Sequence, residues 1–251
     1  MFRRPHHQRV AEVLSVLDAP LLAELNCWFG GGTAIVLANG EFRESVDIDF
    51  LVSDQRSYRQ LRQTVRDHGL GGLTTRELQV GRTPTVDGYG IRTSVVVAGV
   101  VIKFEIIHEG RIDLDTPSSG EEICGVRILT RTDQVASKLL ANDDRWADTS
   151  TFSRDLIDLA MMRPELAALR AGSRKAIDAY GKTVGESLDS AITYLRERPH
   201  RLDEYIRALK IDAPRAVVWQ NIRDLSARCA KIEGLGPSII GTAGAHDDHD
   251  G

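Results

Sequence analysis

The sequence has few cysteines, few aromatic residues and no long apolar run. Its three cysteines, Cys27, Cys124 and Cys229, are too few and too scattered for a disulfide framework, and they lack zinc-ligand spacing. A reducing cytoplasm is therefore the expected setting. No stretch is apolar for long enough to span a membrane, so no membrane partner is expected. The opening MFRRPHHQRV is basic but leads into no apolar core, which argues against a signal peptide. Neither sign of charge dominates: 32 Lys and Arg stand against 36 Asp and Glu. That balance removes any whole-chain case for nucleic-acid binding and leaves room for a local basic face. What is present suits a globular chain. At 42 % hydrophobic residues it can bury a real core, and 251 residues fit one large domain or two small ones.

Hydrophobic periodicity gives an α+β reading. A helix is predicted over 7–18, where Val10, Val13, Leu14 and Leu17 recur at helical spacing. LNCWF reads as a short strand broken by Gly30, Gly31 and Gly32, and TAIVLANG as a short helix closed by Gly40. VDIDFLV alternates like a strand. The following helix has Ser53 as its expected N-cap and Gly69 as its stop. IRTSVVVAG and VVIKFEIIHE are strands joined at Gly99, and VRILT is one more. After Thr132 the pattern turns helical: TDQVASKLLAND, STFSRDLIDLAMM, then about four helices to Lys231, with Pro199 and Pro214 marking starts or breaks. The expected organisation is a small mixed sheet flanked by helices over 1–130, a helical half over 131–240, and a disordered acidic tail over 241–251. Between Arg163 and Lys231, 14 Lys and Arg face 9 Asp and Glu, which fits solvated helix faces or a surface for a polyanion.

The chemistry concentrates in FGGGTAIVLANGEFRESVDIDF, residues 29–50. On a strand, residues two apart point to one side, so Asp47 and Asp49 should lie together while Val46, Ile48 and Phe50 face the core. Adjacent carboxylates repel, and a hard divalent cation relieves that repulsion. The glycine turn entering a helix offers backbone N–H groups suited to phosphate. The plainer alternative is an edge strand with two wetted aspartates.

These motifs resemble the DNA-polymerase-beta-like nucleotidyltransferases, in which two small residues precede a D-x-D strand. More narrowly, GGTAIVL…FRESVDIDF resembles the AbiE-type toxin nucleotidyltransferases of bacterial toxin–antitoxin and phage-defence systems, with Gly31, Gly32, Thr33, Arg43, Ser45, Asp47 and Asp49 on the family's positions. The resemblance continues through DQVASKLLANDDRWADTSTFSRDLIDL, which supplies Lys138, Arg145, Arg154, Asp155 and Asp158. It covers roughly residues 25–160. It implies a polymerase-beta-like core and transfer of a nucleoside monophosphate from an NTP to an acceptor hydroxyl, with release of pyrophosphate.

In that reading Asp47 and Asp49 hold Mg²⁺. Gly31, Gly32 and Thr33 grip the triphosphate, Lys138 reaches it as a point charge, and Arg43 and Ser45 contact phosphate or lock the loop. Asp155 and Asp158 share a helix face, and at least one is expected at the site, orienting Lys138 or the acceptor. The plainer role for that pair is capping or surface pairing with Arg154, and for Lys138 a solvent position. Glu105, with Lys103 on the same strand face, is the candidate third carboxylate. His108 reads as a strand-end polar residue, the three tryptophans as packing residues, and His6 and His7 as polar residues at a frayed end. HDDHD in the tail has metal-binding residue types within an expected disordered segment. The implied acceptor is RNA, at the acceptor end of tRNA, and the implied partner is a cognate antitoxin. An aminoglycoside-type small-molecule nucleotidyltransferase and a catalytically inactive nucleotide-binding module are the alternatives.

Overall fold

The structure, a computed structural model, describes residues 2–235. The expected tail, with its HDDHD, lies outside them. The N-terminal half is built on a five-stranded mixed sheet. Its strands are β1 (Trp28–Gly30), β2 (Ile48–Val52), β3 (Val80–Val86), β4 (Gly90–Val97) and β5 (Val100–His108). Their order is β1-β2-β5-β4-β3, with β2 and β5 parallel and every other pair antiparallel. A two-stranded ribbon, β6 (Glu122–Ile123) and β7 (Val126–Arg127), follows.

One face of the sheet is dry. Ile48, Phe50, Phe104 and Ile106 are fully buried on it. Phe50 sits between Phe29 and Phe104, with ring centroids 5.5 and 5.7 Å away. Two helices cover this face, α1 (Pro5–Val16) through Val10, Val13 and Leu14, and α4 (Gln55–His68) through Tyr58, Leu61 and Val65. Each such side chain contributes about 1.5–3 kcal/mol on leaving water. Between these helices in sequence come α2 (Ala19–Glu24) and α3 (Gly31–Ala38).

The second half is helical: α5 (Arg131–Arg145), α6 (Arg154–Met162), α7 (Leu166–Tyr180), α8 (Thr183–Glu197), α9 (Pro199–Ala208) and α10 (Arg215–Cys229). Its core gathers around α5 and α6, through Val135, Leu139, Leu156 and Leu159. Helix α3 serves both cores: Ala34 and Leu37 pack with the sheet, Ile35 and Val36 with the helices.

Several details depart from the sequence reading. Helix α1 begins at Pro5, so His7 lies inside the fold with no exposed surface. Asp54, not Ser53, caps α4, its Oδ1 accepting from the Ser57 N–H at 2.6 Å, while Ser53 Oγ accepts from the Leu114 N–H. Val46 does not face the core; it is 42 % exposed, because β2 starts only at Ile48.

Candidate active site

The sheet's other face is packed at its β1 edge by Trp28, Leu51 and Leu129 and opens beside them, where the helical half stands over it. Between them lies a cleft of about 580 Å³. Its floor comes from β2 and β5, which set Asp49 directly beside Glu105 in parallel register. Asp47 enters from the loop just before β2. One end is closed by Gly31, Gly32 and Thr33 at the start of α3, and the opposite wall carries Lys138, Arg145 and Asp155. Arg43 and Ser45 line it as well. The structure thus brings ten of the eleven candidate residues to one cleft. The eleventh, Asp158, lies behind the wall with no exposed surface.

The glycines are there because other side chains take the space. Gly31 has φ +66°, and a Cβ on it would stand 2.5 Å from Asp49 Oδ2. A Cβ on Gly32 would stand 2.5 Å from Arg43 Nη2. The turn therefore packs its backbone against the carboxylate and the guanidinium. The first-turn N–H groups of α3 have no carbonyl a turn behind them, and among the described residues no hydrogen bond from the Gly32 or Thr33 N–H competes with an anion there.

Asp47 and Asp49 are, among the described residues, the cleft carboxylates with neither a hydrogen-bond donor nor an ion-pair partner. The others are matched: Glu44 with Lys210, Glu105 with Lys103 at 2.7 Å, Asp144 with Arg111, Asp155 with Lys138. Burial, reinforced by the charges of Asp47 and Glu105, pushes the Asp49 carboxyl up to about 6. The unrelieved negative charge on the floor fits a divalent cation. Among the described residues no three His, Cys, Asp or Glu side chains form a ready-made cage, so a cation here would take further oxygens from ligand or water.

Within and behind this wall runs a largely buried ion network. Arg43 grips Asp158 with two parallel bonds, Nε to Oδ1 at 2.7 Å and Nη2 to Oδ2 at 2.8 Å. Lys138 Nζ lies 2.7 Å from Asp158 Oδ2 and 2.9 Å from Asp155 Oδ1. Arg145 completes it, with Nε on Asp155 Oδ2 at 2.7 Å and Nη2 on Oδ1 at 3.0 Å. Three cations against two anions leave one positive charge in excess at the wall. Burial alone would raise both aspartates, but Arg43 and Lys138 hold Asp158 below the usual carboxylate range, and Lys138 and Arg145 do the same for Asp155. Lys138 is thus no solvent residue, and the partners of Asp155 and Asp158 are Arg43, Lys138 and Arg145 rather than Arg154.

Thr33 Oγ1 donates to Ser45 Oγ at 2.8 Å, tying the turn to the loop before Asp47. His108 stacks flat on Tyr58, centroids 4.6 Å apart, at the strand end where it was expected. Sequence reasoning missed other cleft residues: Arg111 and Phe152, with Ala208 and Leu209 at the end of α9. None belongs to a local motif. Only the two successive left-handed residues Phe152 and Ser153, with φ of 56° and 48°, mark that loop as unusual.

A family model described as nucleotidyl transferase AbiEii toxin, type IV TA system, matches residues 16–230. Two solved structures share the fold. One is a candidate nucleotidyltransferase from Helicobacter pylori, 16 % identical, with TM-score 0.52 over 87 % of this chain and 92 % of that one. The other is JHP933 from Helicobacter pylori, also 16 % identical, with TM-score 0.51 over 90 % and 93 %. No curated protein matches the sequence. The family match spans both the sheet with its paired aspartates and the helices above it: the chain belongs to the AbiEii family of nucleotidyltransferase toxins of type IV toxin–antitoxin systems.

Proposed function

We propose that the protein transfers a nucleoside monophosphate from an NTP to a hydroxyl of RNA, at the acceptor end of tRNA, using Mg²⁺. The observation that carries this is the pairing, in one cleft, of the two unpartnered carboxylates Asp47 and Asp49 with the N–H groups of the Gly31–Thr33 turn. Asp47 and Asp49 would hold the ion, which when bound neutralises phosphate charge as a Lewis acid. The turn binds the triphosphate through its backbone. The wall of Arg43, Lys138 and Arg145, with its one excess positive charge, stabilises negative charge that develops on the phosphate oxygens.

The bond that forms joins the acceptor oxygen to the α-phosphorus, and the bond that breaks frees pyrophosphate. Glu105, beside Asp49 and held by Lys103, is the carboxylate to take the hydroxyl proton or to share the ion. Asp155 and Asp158 orient the cations rather than touch substrate. The sheet half, 1–130, and the helical half, 131–240, act as two lobes around the NTP, and the uneven positive charge of the helices favours a polyanionic acceptor. The family's toxin role implies a cognate antitoxin as partner.

The test is incubation with Mg²⁺, total tRNA and each of the four α-phosphate-labelled NTPs, beside an Asp47→Ala/Asp49→Ala double variant. Label on RNA that depends on both aspartates is the expected outcome and names the donor. Label on no RNA from any NTP would refute the RNA acceptor and direct the search to small hydroxyl compounds.

A further inference from the structure

Two adjacent histidines in the first turn of α1 reach the loop that leads into the paired aspartates. His7 is completely buried. Its Nε2 lies 3.1 Å from the backbone N–H of Ser45, which can only donate, so Nε2 carries the lone pair. Nδ1 then carries the proton, toward Glu41 Oε1 at 2.8 Å. Burial holds His7 below the ordinary histidine range in spite of Glu41, in keeping with a neutral ring. His6 takes the next link, its Nε2 lying 3.1 Å from the Val46 carbonyl.

Glu41 is fixed in turn. It has φ 57°, and its carboxylate accepts the backbone N–H groups of Arg3 and Arg4 at 2.8 and 3.1 Å. Arg4 reaches on to the Lys210 carbonyl and to Asp212, just past the cleft residues Ala208 and Leu209. The N-terminal segment therefore holds the Arg43–Asp47 loop on one side and the end of α9 on the other.

We propose that His7 is a positioning residue for nucleotidyl transfer: its neutral imidazole, set by Glu41, fixes the Ser45 N–H and with it the loop that aims Arg43, Ser45 and Asp47 at the Gly31–Thr33 turn. The link runs through short distances only. Ser45 is bonded to Thr33 in the turn, and Asp47 is two residues further along. Without an acceptor at Nε2 the Ser45 N–H is a buried orphan, and the loop gains freedom where the site needs a fixed carboxylate. This rests on the catalytic reading of the cleft given above, so its test includes a measurement independent of activity.

That test compares the full-length protein with His7→Phe, which keeps a ring but no nitrogen, and His7→Gln, whose amide oxygen reaches the Ser45 N–H. Amide hydrogen exchange is followed for peptides covering Arg43–Asp47 and, as reference, Ile91–Val97 of β4. In His7→Phe the loop should exchange faster with β4 unchanged, and kcat per folded molecule should fall about 10–100-fold. His7→Gln should restore most of both. Loop exchange unchanged in His7→Phe, equal acceleration in β4, or no recovery in His7→Gln would each overturn the proposal. A wild-type protein that neither binds nor transfers nucleotide would refute the catalytic reading alone, and the exchange result would still decide the role of His7 in the loop.

Discussion

The surroundings of Asp49 disfavour its ionised form. Among the described residues its carboxyl has no donor, it is pressed against the Gly31 turn, and burial followed by Asp47 and Glu105 lifts it from 3.8 to about 6. The sign follows from linkage. The folded state binds this proton more tightly than the unfolded chain, so stability present below the ordinary carboxylate range is withdrawn as pH rises through about 6. Asp49→Asn should therefore stabilise the metal-free protein at pH 8, by about 1–3 kcal/mol, with the gain gone below about pH 4. Urea midpoints at the two pH values measure it, and destabilisation at pH 8 would mean the carboxylate makes bonds that the amide cannot. The same variant should lose nucleotidyl transfer. Asp49 was legible in the sequence because its partners are local: a strand alternation and a glycine turn within twenty residues or so. The Arg43–Asp158 pair was not, since its members lie 115 residues apart and no pattern of either segment names the other. His7 was misjudged for the same reason, its partners Glu41 and Ser45 being 34 and 38 residues away.

The elements divide along similar lines. Strands β4 and β5 and helices α4 to α6 were readable because each buries one face at a regular period. Strand β3 was not. It is an edge strand, largely exposed, with Gly81 and Pro84 inside it and a broken register against β4, so it has no apolar alternation to show. Helix α2 is six residues long, and its start rests on Asp18, whose side chain accepts from the Leu21 N–H. Among the well-read helices, α5 carries Lys138, and its place over the cleft depends on a close approach by α7. At Gly172 of α7 a Cβ would stand 2.5 Å from the Thr132 carbonyl oxygen and 2.7 Å from Val135. An alanine in a free helix stabilises by about 1 kcal/mol relative to glycine. Here the clash reverses the sign: Gly172→Ala should destabilise by about 1–3 kcal/mol, the cost of overpacking. By shifting α5 it should also raise KM for NTP. A denaturation midpoint at or above wild type would show that α7 can slide off α5 without loss.

At the scale of the whole molecule, the ion network ties the two halves together. Arg43 comes from the loop after α3, Lys138 and Arg145 from α5, and Asp155 and Asp158 from α6. Because α3 serves both hydrophobic cores, the network and the cores cross the same boundary. Acid should break this tie before it breaks the apolar packing. Asp155 and Asp158 lie below the usual carboxylate range, and the Arg3 and Arg4 N–H groups with His7 bring Glu41 down to about 2 despite its burial. A depressed carboxyl gives stability that is complete above its ordinary range near 4 and is lost as pH falls through the folded value. Asp49 and Asp133, both raised chiefly by burial, act in the opposite direction and at higher pH: their stability grows as pH falls towards about 4 and adds no slope below it. The depressed groups therefore set the slope at lower pH, and unfolding free energy should fall steadily between about pH 4 and 2. Asp158→Ala separates the network from general acid effects. It leaves Arg43 and Lys138 short of a buried partner and should cost about 3–5 kcal/mol at pH 7. It also removes one titrating group, so its stability curve below about pH 4 should be shallower than wild type by up to about 1.4 kcal/mol per pH unit. Urea titrations across that range measure both slopes. Parallel curves would mean that Asp158 keeps its proton state on unfolding, and that the bidentate pair holds the halves together without making them sensitive to acid.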